Sequence, residues 1–272
     1  TTVKDLLLAD DNALVKDLME ENVISVHTLD DQEQVAKIFQ NYNFLALPVV
    51  DKEYRLVGIV TIDDAIDVLQ EETTEDIEKM AAVLPSDKPY MKTSVFGIYK
   101  KRAPWLLVLM LSATFTSAII SSFESVLASV IVLSSFIPMI TGSGGNAGSQ
   151  ASVSVIRALS LGEVEFKDLL LILWKEFRVA FLCGVTLAAA NFIKLMLFDL
   201  NGTPNAFWIA LVISLTLVGT IIMAKLVGAS LPLIAGKIGF DPAVMANPLI
   251  STVCDSLSLL IYFAVATSIL HL

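Results

Sequence analysis

A chain of 272 residues that is 55% hydrophobic, with a mean hydropathy of +0.73, is too apolar for an ordinary soluble protein and points to membrane spans. Its net charge of −10 is placed unevenly: residues 1–99 hold 20 acidic against 8 basic side chains, and residues 100–272 hold 8 against 10. Such an acidic region attracts cations and repels nucleic acid and anionic lipid, which argues against a nucleic-acid partner. The two cysteines, Cys183 and Cys254, both fall in apolar stretches, so no disulfide framework is expected. The chain starts abruptly at Thr1 with no signal-peptide pattern and is expected to be N-terminally truncated.

Residues 24–70 read as β-α-β-β-α. Val23 to Val26 is a short strand, and Asp30-Asp31 can cap a helix through Phe39. Leu45 to Val50 and Leu56 to Thr61 are strands around an Asp51–Tyr54 turn, and Asp63-Asp64 opens the next helix. This order, with Leu47-Pro48-Val49-Val50 and Gly58 to Asp64, resembles a CBS domain. Residues 3–9 look like the last helix of a preceding CBS module. The resemblance implies that Thr61 and Asp64, three residues apart, bind a nucleotide ribose, which admits ATP as a regulatory ligand. A strand-end Thr beside an N-cap Asp is the plainer alternative.

Asp64, Asp67, Glu71, Glu75 and Glu78 step by three or four residues, which puts five carboxylates on one helix stripe, with Glu72 and Asp76 alongside. Like charges at that spacing cost a helix about 0.2–0.5 kcal/mol per pair. Bound divalent cations would remove the penalty, because hard cations take carboxylate oxygens and water. Asp64, Asp67, Glu71, Glu72, Glu75 and Asp76 are therefore candidate cation-sensing residues. Pro85 ends this helix, and Lys92 to Lys101 reads as an amphipathic interfacial segment. The expected divisions are a CBS remnant at 1–22, a CBS module at 23–70, an acidic connecting and amphipathic helix at 71–102, and a membrane domain at 103–272.

About 20 apolar residues cross a bilayer, and five spans are expected. They run from Pro104 to about Phe123, from about Val126 to Leu159 as a broken helix, from Leu169 to Phe198, from Ala206 to Leu231, and from Pro242 to Leu270. The fold class is thus an α-helical membrane protein, with five transmembrane helices behind an α+β CBS module and an acidic connecting helix. Most Lys and Arg, from Lys100 to Lys237, fall on one side. This predicts a multi-pass protein of the cytoplasmic membrane with its N-terminus cytoplasmic and its C-terminus outside. Lys225 is expected to snorkel to the cytoplasmic edge. Four glycines and Pro138 between Pro138 and Gly148 argue against a straight helix there. Exposed carbonyls with Asn146 and Gln150 would make an oxygen-rich wall, whereas small residues would also let helices pack closely.

Asp255 lies in the apolar run Ile250 to Phe263. A carboxylate at membrane depth costs about 2.5–3.5 kcal/mol on insertion scales, so it marks a functional site. Asn247 is eight residues earlier, on the same helical face, and Pro248 would free carbonyls on the preceding turn. Hard oxygens without a His or Cys cluster argue for Mg2+ or Ca2+ over Zn2+ or Cu2+.

Arg102-Ala103-Pro104-Trp105-Leu106, Gly144-Gly145-Asn146-Ala147-Gly148-Ser149-Gln150, and Asp241-Pro242-Ala243 followed by Asn247-Pro248 and Asp255 resemble the MgtE family of magnesium channels. The resemblance implies a homodimer with a pore on its two-fold axis. It implies Mg2+ as the conducted ion, with Co2+, Ni2+ and Mn2+ as further candidates. Asp255 would line the pore twice and hold hydrated Mg2+, with Asn247 and Asn146 nearby. Cytoplasmic Mg2+ would draw the CBS and connecting-helix carboxylates together and close the channel. Two alternatives stay open: a proton- or sodium-coupled divalent-cation exchanger, and a CBS-linked membrane receptor that transports nothing. An ATP-driven pump is not expected without a Gly-x-x-x-x-Gly-Lys-Ser/Thr motif. Nor is an enzyme, since His27 and His271 stand at opposite ends and no catalytic pairs converge in the spans.

Overall fold

The computed structural model describes residues 3–19, 21–86, 88–245 and 247–271, apart from the side chains of Val3 and Asn247. The chain divides into two compact units, residues 1–74 and 75–272.

The first unit begins with two short helices, α1 (Val3–Leu8) and α2 (Val15–Leu18). A three-stranded sheet follows, in the order β1 (Val26–His27), β2 (Ala46–Val50), β3 (Leu56–Thr61). β1 pairs parallel to β2, and β2 antiparallel to β3. The crossover between the parallel strands is helix α3 (Gln32–Tyr42). Its start is set by Asp31, whose side chain accepts from the Glu33 and Gln34 amides, and its end by Asn43 in the left-handed region. Val26, Ala36, Phe39, Leu47 and Ala65 form the small core. The first strand begins three residues later than expected, at Val26.

Helix α4 (Ile62–Met80) runs unbroken across the expected boundary at residue 70. Its start is tied by Thr61, whose hydroxyl donates to Asp64 Oδ2 at 2.7 Å. After a 3-10 turn at Tyr90–Lys92 comes α5 (Val95–Ser122), capped by Ser94. Pro104 lies inside α5 and does not open it, so the amphipathic segment and the first span are one helix.

The short helix α6 (Glu124–Ser129) and a 3-10 stretch, Ile131–Phe136, lead into α7 (Ile137–Ser160). Here the sequence expectation is corrected. The glycine run does not break the helix; it is wholly helical, and the break falls before it, at 130–136. Next come α8 (Leu169–Lys194), extended by a π turn at Leu195–Asp199, and α9 (Ala206–Lys237). A 3-10 turn at Pro242–Met245 precedes α10 (Asn247–Leu270). Pro248 is the second residue of α10, where a missing N–H costs nothing, so it opens the helix and frees no carbonyls within it.

Among the described residues, four helical stretches are long and apolar enough to cross a membrane: Val95–Ser122, Phe166–Asp199, Ala206–Lys237 and Pro242–Leu270. Helix α7, 24 residues and about 36 Å long, makes the fifth long helix of the unit. Its Gly, Ser, Asn and Gln content keeps its hydropathy lower. The main core joins Leu133, Ile140, Leu195, Ile213, Tyr262 and Phe263, and a second cluster forms where Ala147, Ile221, Ala224, Ile250 and Cys254 meet.

Candidate functional site

Helix α10 is fixed at both ends. Toward its C-terminus the buried Tyr262 hydroxyl donates to the Leu133 carbonyl at 2.9 Å, and Phe263 stacks on Phe123 at 4.4 Å. Ahead of its N-terminus, Asp241 Oδ1 accepts from the Ala243 amide at 2.8 Å, while Oδ2 takes Lys79 Nζ at 2.6 Å. Lys79 also pairs with Glu75. Burial works against the Lys79 charge, but the bonds and charges of Asp241 and Glu75 outweigh it and hold the ammonium above the usual lysine range. A raised pKa contributes stability that is complete below the unfolded lysine value and is lost only as pH climbs through the folded one. The contact is therefore whole at neutral pH. Lys79→Met is expected to leave two carboxylates facing each other and to speed proteolysis between Ala81 and Ser94.

Between those anchors Asp255 is half-buried, and no described residue gives it a hydrogen bond or ion pair. Gly145 of α7 lies against it. A Cβ on Gly145 would stand 3.5 Å from Asp255 Oδ1 and 3.3 Å from Ser251 Oγ. A Cβ on Gly148 would come within 2.8 Å of Cys254 Sγ and 2.9 Å of Ile250 Cγ2, and one on Gly144 would collide with Ser258. The glycines of α7 thus let α10 approach closely, with Gly145 against the Asp255 carboxylate. Close packing at Gly144, Gly145 and Gly148 is what these contacts give.

The other expected residues fall as follows. Asn146 is exposed one position around α7 from Gly145 and lines a cavity with Cys183, Thr186 and Lys225. Within one chain it does not stand with Asp255. Asn247 opens α10, eight residues before Asp255, and its side chain lies outside the described residues. On α4, Asp64, Asp67 and Glu71 are exposed, and Glu72, Glu75 and Asp76 are half-buried. Glu72 accepts from Gln32 Nε2 at 3.0 Å, and Glu78 accepts from the Ser86 amide at 2.7 Å. Several acids of the stripe are therefore engaged within the chain. Among the described residues no three His, Cys, Asp or Glu side chains cluster as a metal-binding group. The Thr61 hydroxyl donates to Asp64 Oδ2. Asp64 still borders a cavity of about 230 Å3 with His27, Thr28 and Asp30.

One pair escaped the sequence reading. Lys225 does not snorkel: α9 continues to Lys237, and Lys225 is 6% exposed, with Nζ 3.9 Å from Glu176 Oε2 on α8. The available signal was Glu176 itself, an acid seven residues into an apolar helix.

Comparison with known proteins follows the same division. The MgtE divalent cation transporter model matches residues 137–265, and the CBS domain model matches residues 15–71. "Magnesium transporter MgtE" of Thermus thermophilus is 40% identical over 270 residues, 99% of this chain and 59% of that protein. The Bacillus subtilis protein of the same name is 39% identical over 269 residues, covering 98% of this chain and 58% of that one. The Enterococcus faecalis one is 35% identical over 266 residues, covering 98% and 57%. The chain thus spans less than three fifths of the length of these curated relatives. With its transporter region and the CBS domain ahead of it matched together, the chain is similar over nearly its whole length to magnesium transporters named MgtE.

Proposed function

We propose that the chain conducts hydrated Mg2+ into the cytoplasm down its electrochemical gradient, as a homodimer in the cytoplasmic membrane. The observation that carries this reading is Asp255: a carboxylate without a protein partner, on an apolar helix, facing the side-chain-free surface of α7 at Gly145. Mg2+ dehydrates reluctantly and keeps several waters. Two Asp255 carboxylates across a two-fold axis would grip such an ion through its water shell, with Asn247 and Asn146 as further oxygen donors. Charge then selects divalent over monovalent ions, and the rigid aquo shell selects Mg2+ over Ca2+. An inside-negative potential supplies about 4.6 kcal/mol per 100 mV for a divalent ion, twice the single-charge value, so no fuel is required. The N-terminus is cytoplasmic and the C-terminus outside, in keeping with the Lys and Arg distribution. Conduction of this kind involves no enzymatic step.

Gating rests on α4. Asp64, Asp67, Glu71, Glu72, Glu75 and Asp76 sense cytoplasmic Mg2+, and its binding closes the path, while ATP at the cavity beside Asp64 is a regulatory ligand. Helix α4 meets the segment ahead of α10 through Lys79 and Asp241, and this ties the sensing helix to the lead-in of the helix that carries Asp255. Neutralising Glu71, Glu75 and Asp76 together is expected to leave current flowing at high cytoplasmic Mg2+. Patch recording across a Mg2+ titration tests this, and wild-type closure in the triple variant would defeat the gating model. Fluorescent-indicator uptake into liposomes tests conduction itself.

A further inference from the structure

Glu176 and Lys225 take no part in the path described above. Lys225 is 6% exposed, and its Nζ lies 3.9 Å from Glu176 Oε2, beyond hydrogen-bond reach. Glu176 Oε2 and the nearby Ser149 Oγ are both buried with no hydrogen-bond partner. Buried polar atoms are nearly always satisfied, so these are open to a ligand. They border a cavity of about 610 Å3, with Gln150 and Ser154 adding further polar groups.

The setting of this cavity names its occupant. Its rim carries the exposed apolar side chains of Val153 and Val179, so it opens toward lipid. On the same turns of α8 as Glu176, Trp174 is exposed and the Arg178 guanidinium lies 5.7 Å from its ring centroid. Trp with basic neighbours marks the level of the lipid headgroups. A carboxylate and an ammonium side by side, not bonded to each other, complement a ligand that also carries both charges.

We propose that this cavity binds a phospholipid whose headgroup holds both a phosphodiester and a primary ammonium, as an ethanolamine phospholipid does. Lys225 Nζ, Ser149 Oγ and the Gln150 amide donate to the phosphodiester. The ligand ammonium donates to Glu176 Oε2. A choline headgroup has no N–H to offer Glu176, and a purely anionic headgroup leaves that carboxylate uncompensated at a buried position.

The test is native mass spectrometry of the full chain after exchange against vesicles of ethanolamine, choline or glycerol phospholipids with matched acyl chains. Wild-type protein is expected to retain the ethanolamine lipid about tenfold over choline, the scale of one hydrogen bond to a charged group. Glu176→Gln should erase that preference while phospholipid retention persists. Lys225→Met should lower retention of all three lipids, and if it fails to fold, Glu176→Gln decides alone. Equal retention of the three lipids by wild type would overturn the proposal, as would an unchanged preference in Glu176→Gln. So would cross-linking that finds the cavity filled by a second copy of the chain. No ion flux is read, so either result leaves the transport reading where it stands.

Discussion

Asp255→Ala is expected to abolish Mg2+ uptake while leaving the protein as stable as wild type or more so. The two effects have opposite causes. A unit charge and a divalent ion about 5 Å apart, at an effective dielectric near 20, attract by roughly 7 kcal/mol. Losing even a third of that lowers ion occupancy more than tenfold, since each factor of ten is about 1.4 kcal/mol. For the fold, by contrast, the same carboxylate is a burden. No described residue bonds to it, and its insertion costs about 2.5–3.5 kcal/mol. A carboxylate kept for structure would show the reverse, a variant that melts early and, if rescued, still conducts. Asp255→Asn separates charge from shape, because it keeps an oxygen of similar reach and loses the charge. Liposome uptake and thermal melting in detergent, measured on the same preparations, check the pair of expectations. Wild-type flux in Asp255→Ala would end the pore assignment.

The parts of this molecule that the sequence revealed are those where one residue is costly or locally decisive. Asp255 stood out because a lone carboxylate in an apolar run needs a reason. Asp31 stood out because a side-chain cap is settled within four residues of chain. The strands on either side of the Asp51–Tyr54 turn were legible for the same local reason, and β2 and β3 lie where they were expected. The misreadings share another cause: tertiary contact overrode local preference. Glycine and proline content argued for a broken helix at Pro138–Gly148. There, however, glycine supplies closeness, and α7 stays helical because α9 and α10 pack against it on both sides. Lys225 was placed near a helix end because α9 was expected to stop near Leu231. Pro232 is instead accommodated inside the helix, which carries Lys225 inward to Glu176. Asn146 and Asp255 both offered oxygen, and only the rotation of α7 reveals that they sit on adjoining faces of one chain.

Gly228→Ala is expected to be the most disruptive single-methyl change in the membrane unit. A Cβ on Gly228 would collide with the Gly148 carbonyl oxygen and stand 2.8 Å from its carbon and 3.0 Å from its Cα. All three atoms are backbone, so no rotamer change relieves the overlap and α9 must move away from α7. Overpacking in a filled core costs about 1–3 kcal/mol when side chains can give, and a backbone contact belongs at the upper end of that range. The damage spreads to function, because Gly148 is one turn from Gly145 and holds α7 against α10 at Cys254 and Ile250. Gly142→Ala is the matched control. It lies on the same helix as Gly148, and a Cβ there meets nothing within 4 Å. Replacing helical glycine with alanine without a clash gains up to about 1 kcal/mol. The same chemical change should therefore lower the melting temperature at 228 and leave it unchanged or raised at 142. Mg2+ uptake should fall in the first variant and persist in the second. If both variants melted alike, the backbone contact between α7 and α9 could not be what holds the glycine face in front of Asp255.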